Sequence, residues 1–260
     1  MISTLQPKVR GIILDMDGVL WRGNESIGSL PKIFEAVQTL GLKVTFATNN
    51  ATLSPKQYQE KLASFGVIVE TWQIINSAMA AVFLLKKLFP TGGYVFAIGE
   101  DGLLSTLAEG GFYQNEDGAL AVIVALDRQL TYQKLCRATR LIRSGLPFIG
   151  TNSDKTLAVP GGFDPGAGAI LGAIEISTDV KPTVVGKPSP VMLELAMQRM
   201  QTSEADTLVV GDRLETDILG GFNAGCRTAL VLSGVTKESD IEKWSPKPDL
   251  VVANLESLLC

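Results

Sequence analysis

Two carboxylates, Asp15 and Asp17, directly follow the apolar run Gly11–Leu14 and are separated by one residue. Two unit charges about 4 Å apart repel by roughly 4 kcal/mol at an effective dielectric near 20, so the pair is costly unless it is compensated. A turn at an exposed strand end is one interpretation of an isolated Asp-x-Asp-Gly. A calcium loop of the EF-hand type is excluded, because Val19 and Leu20 occupy the positions that require an oxygen ligand and a glycine.

Three further polar stretches follow apolar runs in the same way. Ligands of open α/β sheets bind at the carboxyl ends of the strands, so we expect these stretches to lie near one another. In isolation, each has an ordinary structural interpretation: a turn, a solvated lysine or aspartates at a helix N-terminus. The stretches are Thr48-Asn49-Asn50, Gly186-Lys187-Pro188-Ser189 and Gly211–Asp217, the last of which contains Asp212 and Asp217.

Convergence of the four aspartates would require a compensating charge. Their summed repulsion would rival a typical folding stability of about 5–15 kcal/mol. Lys187 offsets part of the charge, and a divalent cation would offset most of the rest. Because the chain contains no histidine, the available ligands are hard oxygens, which favour Mg²⁺ as the cofactor. The same cation would attract a phosphate group.

Composition excludes several classes of function. Without histidine, the chain cannot use Ser-His-Asp catalysis, Cys-His catalysis or imidazole-bound zinc. Its three cysteines, Cys136, Cys226 and Cys260, form no Cys-x-x-Cys pair, so we expect reduced thiols in a cytoplasmic protein. A net charge of −4 gives no reason to expect nucleic acid or an anionic membrane as a partner. No apolar segment approaches the roughly 18 residues of a membrane span, and the N-terminal stretch lacks the pattern of a secretory signal.

The elements that must position these residues alternate between strands and helices. Nearly continuous apolar runs rich in Val and Ile are typical of parallel strands buried on both faces. Ser54 as N-cap and Pro55 at the first helical position predict a helix that ends at Gly66, and Ser189-Pro190 opens another that runs to about Met200. We therefore predict an α/β protein with a doubly wound, parallel, Rossmann-like core. The predicted strands of the flanks are Gly11–Leu14, Val44–Ala47, Thr183–Val185, Thr207–Val210, Thr228–Leu232 and Asp249–Val252.

The middle of the chain is predicted to form an inserted α/β domain. Tyr94–Ile98, Ala121–Ala125 and Phe148–Gly150 have the character of strands, and Thr131–Ser144 that of a helix. A glycine-rich turn follows at residues 159–171. The predicted organisation is a core domain of residues 1–79 and 181–260 with an inserted domain of residues 80–180.

Together the four motifs resemble those of the haloacid dehalogenase (HAD) superfamily, in its phosphatase branch. "DMDGVLWRG", "ATNN", "GKPSP" and "GDRLETDILGG" occur in the order and spacing of that family, and the likeness covers nearly the whole chain. The chain is most similar to the NagD-like and p-nitrophenylphosphatase group, which carries the larger C2 type of cap. The resemblance implies a Mg²⁺-dependent phosphatase, a phosphoric monoester hydrolase acting on a small soluble phosphate ester.

The resemblance also implies roles for the first and last motifs. Asp15 would attack phosphorus and form an aspartyl-phosphate, which is covalent catalysis by a carboxylate. Asp17 would act first as general acid and then as general base. Asp15, the Asp17 carbonyl and Asp212 would hold Mg²⁺, and Asp217 would orient metal-bound water or Lys187.

The remaining motifs are implied to bind the phosphoryl group. Thr48, Asn49 and Asn50 would grip its oxygens, and Lys187 would neutralise charge on the nucleophile and on the transferring group.

The inserted domain matches the cap of this family, which excludes water and supplies specificity contacts. The stretch "GTNSDKTLAVPGG" is the expected substrate loop, with Asn152 and Asp154 as candidate substrate-binding residues. Some relatives carry a histidine in this loop, whereas this chain has Leu157. Caps of this type can pair, so we expect a homodimer through the cap.

Several alternatives stay open. A phospho-accepting receiver module also gathers aspartates, Thr, Lys and Mg²⁺, although it is shorter and lacks the Asp-x-Asp pair. A phosphomutase would use the same scaffold to transfer the phosphoryl group to a sugar hydroxyl, while a dehalogenase would dispense with Asp17. The resemblance is compatible with phosphoglycolate, pyridoxal phosphate, sugar phosphates and nucleoside monophosphates as substrates. Within the family, "DGVLWRG" and "GDRLETDI" are more similar to the phosphoglycolate and p-nitrophenylphosphatase side. Trp21 and Arg22 could reach the substrate or rest beneath the cap.

Overall fold

A computed structural model describes residues 2, 5–50, 53–159 and 162–259. These residues form a mixed α/β fold built on two parallel sheets, which confirms the predicted class. Cys260 and residues 160–161 of the glycine-rich turn lie outside the described residues. Within them, Cys136 and Cys226 are free thiols, as expected. None of the described helices combines the length and the apolar character needed to cross a bilayer.

The described strands are short. In chain order they are β1 Gly11–Leu14, β2 Trp21–Arg22, β3 Glu25–Ser26, β4 Lys43–Thr48, β5 Ile74–Asn76, β6 Gly93–Ile98, β7 Phe112–Gln114, β8 Val122–Val124, β9 Phe148–Gly150, β10 Thr156–Val159, β11 Gly162–Pro165, β12 Thr183–Val184, β13 Thr207–Gly211, β14 Arg227–Val231 and β15 Leu250–Val252.

The described α-helices lie between these strands, except for the last helix, which follows β15. They are α1 Leu30–Thr39, α2 Pro55–Ser64, α3 Ser77–Leu88, α4 Asp101–Glu109, α5 Tyr132–Arg143, α6 Ala167–Thr178, α7 Val191–Met200, α8 Leu219–Asn223, α9 Glu238–Ile241 and α10 Leu255–Leu259. One π-helical turn, Leu214–Ile218, precedes α8.

The first sheet has six strands in the order β15-β14-β13-β1-β4-β5. Its central strand β1 pairs in parallel with β13 on one side and with β4 on the other. All four residues of β1 are buried, because helices on both faces exclude water from a parallel sheet. The apolar continuity that predicted this strand is therefore explained by its burial on both faces.

Helix α2 shows how local sequence sets the boundaries of an element. Pro55 occupies its first position, where the missing N–H would have no intrahelical partner. Two residues after the last helical residue, Ser64, Gly66 adopts a left-handed conformation with φ of +80°. A Cβ is strained in that region, so glycine ends the helix as predicted.

The second sheet has five strands in the order β12-β9-β8-β6-β7, paired in parallel. It corrects one prediction: Thr183–Val184, expected beside the strands of the flanks, pairs instead with β9 of this sheet. The ladder continues through Val185 and Gly186, whose N–H groups donate to Gly150 and Thr151 at 3.0 and 2.8 Å. A short apolar run has no feature that selects between two sheets, so these backbone bonds decide the partner.

The chain divides into two compact units. Unit 1 comprises Met1–Thr48, Pro55–Ile75 and Lys187–Cys260, and unit 2 comprises Asn49–Ser54 and Asn76–Gly186. The border predicted between residues 79 and 80 falls inside helix α3, which is continuous. The assignment of residues 80–180 as a separate domain stays a prediction.

Candidate active site

Three adjacent strands of unit 1 end in polar residues at the same edge of the sheet. Asp15 follows β1, Asp212 follows β13, and Thr48 is the last residue of β4. The Asp15 N–H donates to the Val210 carbonyl at 2.9 Å, which extends the β1–β13 ladder by one residue and fixes the start of the loop. The sheet order thus brings together side chains from distant parts of the sequence, at the edge where such sheets bind ligands.

Lys187 is the buried cation of this edge, with 3% of its surface exposed. Its ammonium donates to Asp15 Oδ1 at 2.7 Å, Asp217 Oδ1 at 2.6 Å and the Ala47 carbonyl at 2.8 Å. A buried ammonium requires such charged and polar acceptors, since desolvation without them is costly. Lys187 therefore joins the nucleophile candidate Asp15 to the π-helical turn that carries Asp217.

The carboxylates of this edge are strongly perturbed. Burial raises the pKa of Asp15 to about 8, and the neighbouring charge of Asp217 adds to it, although Lys187 counteracts both. Burial and Asp217 likewise raise the pKa of Asp212 to about 6. Burial alone would lower the pKa of Lys187, but the carboxylates of Asp15 and Asp217 outweigh it and raise that pKa. The edge therefore holds more negative charge than one ammonium balances.

Asp212 is held by the loop that follows β14. Its Oδ2 accepts the Val235 N–H at 2.7 Å, and its backbone carbonyl accepts the Thr236 N–H at 3.2 Å. Gly234 packs against the carboxylate so closely that a Cβ would lie 1.9 Å from Oδ2. A Cβ on Gly18, which has φ of +81°, would lie 2.4 Å from the same oxygen. Two glycines from separate loops thus leave space for this one side chain.

The donor set fits a hard divalent cation. One carboxylate oxygen from each of Asp15, Asp212 and Asp217 lies within 4.8 Å of the other two. Both Asp217 oxygens have partners, since Oδ1 accepts from Lys187 and Oδ2 accepts the Arg213 N–H at 3.1 Å. By contrast, Asp212 Oδ1 is buried and has no hydrogen-bond partner within the described part of the chain. A buried anionic oxygen in this state is one that a cation would satisfy.

Asp17 lies at the exposed side of this edge. The indole N–H of Trp21, which is fully buried, donates to Asp17 Oδ1 at 2.8 Å. Arg22 donates from Nε to the Ser233 carbonyl at 2.7 Å, and the Ser233 hydroxyl donates to the Gly18 carbonyl at 2.8 Å. Both residues whose role the sequence left open therefore stabilise the loops of unit 1.

Thr48 is buried beside a tyrosine that the sequence analysis did not select. The Tyr58 hydroxyl of helix α2 is hydrogen-bonded to the Thr48 side chain. Burial raises the pKa of Tyr58 above its ordinary value, and the charge of Asp17 acts in the same direction. A tyrosine in a helix of ordinary amphipathic pattern gives no signal of such a contact, because the register of strand and helix decides it.

The remaining predicted residues belong to unit 2, where they line one pocket. The Asn152 amide donates from Nδ2 to the Asn49 carbonyl at 3.0 Å, and its Oδ1 accepts the Asp154 N–H at 3.1 Å. Asn50 and Leu157 line the same pocket. The structure thus groups Asn49 and Asn50 with the loop residues Asn152 and Asp154, and groups the aspartates, Thr48 and Lys187 in unit 1.

Comparisons with known proteins indicate the same family from family models, relatives and solved structures. The model of the haloacid dehalogenase-like hydrolases matches residues 12–113, and the HAD-hydrolase-like model matches residues 184–258. The chain is 32% identical over 251 residues to the acid sugar phosphatase of Staphylococcus saprophyticus, with 96% of each chain covered. It is 33% identical over 246 residues to the 5′-nucleotidase YutF of Bacillus subtilis, with 95% of this chain and 96% of that one covered. The solved p-nitrophenyl phosphatase from Archaeoglobus fulgidus superposes with a TM-score of 0.91 at 32% identity, covering 97% of this chain and 99% of that one.

Proposed function

We propose that this chain cleaves small phosphate monoesters through an aspartyl-phosphate with the help of Mg²⁺. The chain belongs to the haloacid dehalogenase-like hydrolases and is a phosphatase. The observation that carries the proposal is the Asp15–Lys187–Asp217 network beside Asp212 Oδ1, which has no hydrogen-bond partner among the described residues. It supplies a fixed carboxylate nucleophile, a neutralising ammonium and a free anionic oxygen for a cation at one sheet edge.

In the proposed reaction, Asp15 attacks phosphorus and the ester bond to the leaving oxygen breaks. Lys187 holds Asp15 by Oδ1 and reduces the repulsion between the carboxylate and the approaching phosphoryl group. Asp17 gives a proton to the leaving oxygen and then takes one from the water that hydrolyses the aspartyl-phosphate. Thr48 binds a phosphoryl oxygen, with Asn49 and Asn50 as further proposed ligands.

The Mg²⁺ ion would be held by Asp15, the backbone carbonyl of Asp17 and Asp212. Asp217 would position Lys187 by accepting a hydrogen bond from its ammonium. A bound Mg²⁺ supplies positive charge that compensates the carboxylates and polarises a phosphoryl oxygen. Oxygen-only ligands support a hard cation over a soft transition metal.

The proposed substrates are small phosphorylated metabolites, phosphoglycolate among them, with p-nitrophenyl phosphate as a synthetic substrate. The relatives named for acid sugars, 5′-nucleotides and p-nitrophenyl phosphate support the monoester class. Asn152 and Asp154 are the proposed selectivity residues, since they line the pocket of unit 2. A phosphate-release screen ranked by kcat/KM identifies the preferred ester, and Asp154→Ala is expected to change that ranking.

The test of the mechanism is single-turnover labelling with a ³²P-labelled aryl phosphate and Mg²⁺. We expect wild-type protein to release phosphate, Asp17→Asn to accumulate an acid-stable, hydroxylamine-labile phosphoprotein, and Asp15→Asn to do neither. An Asp15→Asn rate equal to the wild-type rate would contradict the proposal. A long-lived phosphoprotein without turnover would indicate a receiver module instead, and transfer to an added sugar in preference to water a phosphomutase.

A further inference from the structure

Trp21 is a buried aromatic residue whose polar atom reaches the acid–base candidate. It is 0% exposed, yet its Nε1–H donates to Oδ1 of the exposed Asp17 at 2.8 Å. A buried indole requires an acceptor for its N–H. Here that acceptor is a side-chain oxygen of the residue proposed to move protons.

The turn between the two residues is closed by backbone bonds. The Gly18 N–H donates to the Trp21 carbonyl at 2.8 Å, and the Leu20 N–H donates to the Met16 carbonyl at 2.8 Å. Trp21 then pairs with Ser26 across the β2–β3 ribbon. Because backbone hydrogen bonds fix both ends of the turn, the position of the Trp21 indole is set, and its hydrogen bond in turn sets the position of the Asp17 side chain.

The indole ring is held in turn by helix α2 and the residue that follows it. The Phe65 ring lies 5.7 Å from the Trp21 ring, with 23° between the planes. Lys61 places its ammonium 4.3 Å from the ring centroid. A cation over the ring draws electron density towards itself, which makes the N–H edge a stronger donor to a carboxylate.

We propose that Trp21 is the positioning residue of the acid–base step: it binds Asp17 through Oδ1 and thereby assigns the transferable proton to Oδ2. An indole N–H donates and cannot accept, so it occupies an oxygen lone pair and leaves the acid O–H to the other oxygen. Oδ2 gives its proton to the leaving oxygen as the ester bond breaks, and it regains one from the water that attacks the aspartyl-phosphate. The proposal rests on the role proposed for Asp17.

The test compares esters that differ in their need for a proton. A p-nitrophenolate leaves readily as an anion, whereas an alkoxide must be protonated. Trp21→Phe retains a ring and removes the N–H. We expect it to lower kcat/KM for an alkyl phosphate by about 10- to 100-fold and for p-nitrophenyl phosphate by less than about 3-fold. In an Asp17→Ala background, Trp21→Phe should have no further effect on the alkyl ester.

Phe65→Leu is the matched control, because it disturbs the ring packing and leaves the N–H in place. It should leave the ratio of the two kcat/KM values unchanged. An equal loss on both esters in Trp21→Phe, or no loss, would overturn the proposal, since a merely structural role does not depend on the leaving group. If Asp15→Asn kept full activity, the proposed mechanism would fail instead, which makes the two failures distinguishable.

A second measurement does not require Trp21→Phe to fold. The three tryptophans, Trp21, Trp72 and Trp244, each give one indole N–H signal in a ¹H–¹⁵N spectrum of the full chain. Trp72→Phe and Trp244→Phe assign the signal of Trp21 by elimination. We expect Asp17→Ala to move this signal to lower proton frequency and to leave the other two in place. An unmoved signal would show that the bond to Asp17 does not form in solution.

Discussion

At the scale of single residues, Lys187 provides positive charge to a sheet edge that carries four carboxylates. Its ammonium lies 2.7 Å from Asp15 Oδ1 and 2.6 Å from Asp217 Oδ1. A buried ion pair of this kind is weak evidence for a net gain in stability, because the cost of removing the charges from water offsets much of their attraction. Removing one partner is different, since it leaves the other charges buried and uncompensated.

We therefore expect Lys187→Met to abolish phosphatase activity and to lower the free energy of unfolding by about 3–5 kcal/mol near pH 8. The loss should shrink in mild acid, where the carboxyl group of Asp15, with its pKa of about 8, is protonated. Urea unfolding followed by circular dichroism measures both values. Lys32→Met, at an exposed lysine, should change stability by less than about 0.5 kcal/mol. Equal stabilities of the two variants would show that the charge at Lys187 is not needed for folding.

The carboxyl groups also predict a dependence of Mg²⁺ binding on pH. The pKa of Asp15 rises from 3.8 to about 8, so the folded chain holds a proton between these values that the unfolded chain releases. Metal-free stability should then fall as pH rises through this window. Mg²⁺ binds the ionised carboxylates. The rise in the protein's melting temperature on adding Mg²⁺ should therefore be larger at about pH 8 than at about pH 5.5.

Differential scanning fluorimetry with and without Mg²⁺ checks this expectation. Asp212→Asn retains the shape of the side chain but loses its charge, so the gain should be small at both pH values. A wild-type gain independent of pH would mean that these carboxyl groups do not release protons when the ion binds.

At the scale of the elements, the loops after β1 and β14 both position the side chain of Asp212. They place Gly18 and Gly234 against Asp212, so that the carboxylate is clamped between two backbones. The second loop gives no signal in the sequence, since residues 233–236 contain no charged side chain. Their contribution is made by backbone N–H groups, which every non-proline residue carries.

Gly18→Ala is expected to weaken Mg²⁺ binding and activity by at least about 10-fold, because its Cβ displaces Asp212. The matched variant Gly23→Ala has a similar backbone cost, with φ of +60°, but no atom of the described residues lies within 4 Å of the new Cβ. Both should lose about 1 kcal/mol of stability. Isothermal titration with Mg²⁺ separates the loss of metal affinity from the loss of stability. Equal Mg²⁺ affinities of Gly18→Ala and Gly23→Ala would show that the packing of Gly18 against Asp212 does not matter for metal binding.

Sequence patterns succeeded where a residue and its neighbours decide the outcome. β1 and β4, the helix that begins at Pro55 and its end at Gly66 follow from apolar continuity and from the backbone preferences of Pro and Gly. The sheet chosen by Thr183–Val184 depends on long-range pairing, which local sequence does not encode. The bond from Trp21 to Asp17 likewise depends on how a turn closes, although a Trp four residues after a motif aspartate was a signal worth testing.

At the scale of the whole molecule, the association of chains stays a prediction. The inserted domain predicted at residues 80–180 is the proposed surface of association, so we expect a homodimer through this cap. Light scattering after size exclusion should give a mass about twice the 27.8 kDa of one chain, independent of Mg²⁺. A mass equal to that of one chain across the micromolar range would exclude the dimer.

The position of β1 in the six-stranded sheet has a consequence for biosynthesis. β4 is translated shortly after β1, but the other neighbour of β1, strand β13, is translated only after all of unit 2. Until then, four apolar residues present an open hydrogen-bonding edge. If translation stalls in this interval, the open edge of β1 can pair with a strand of another chain. Chaperone binding should therefore reduce aggregation most between the synthesis of β4 and that of β13.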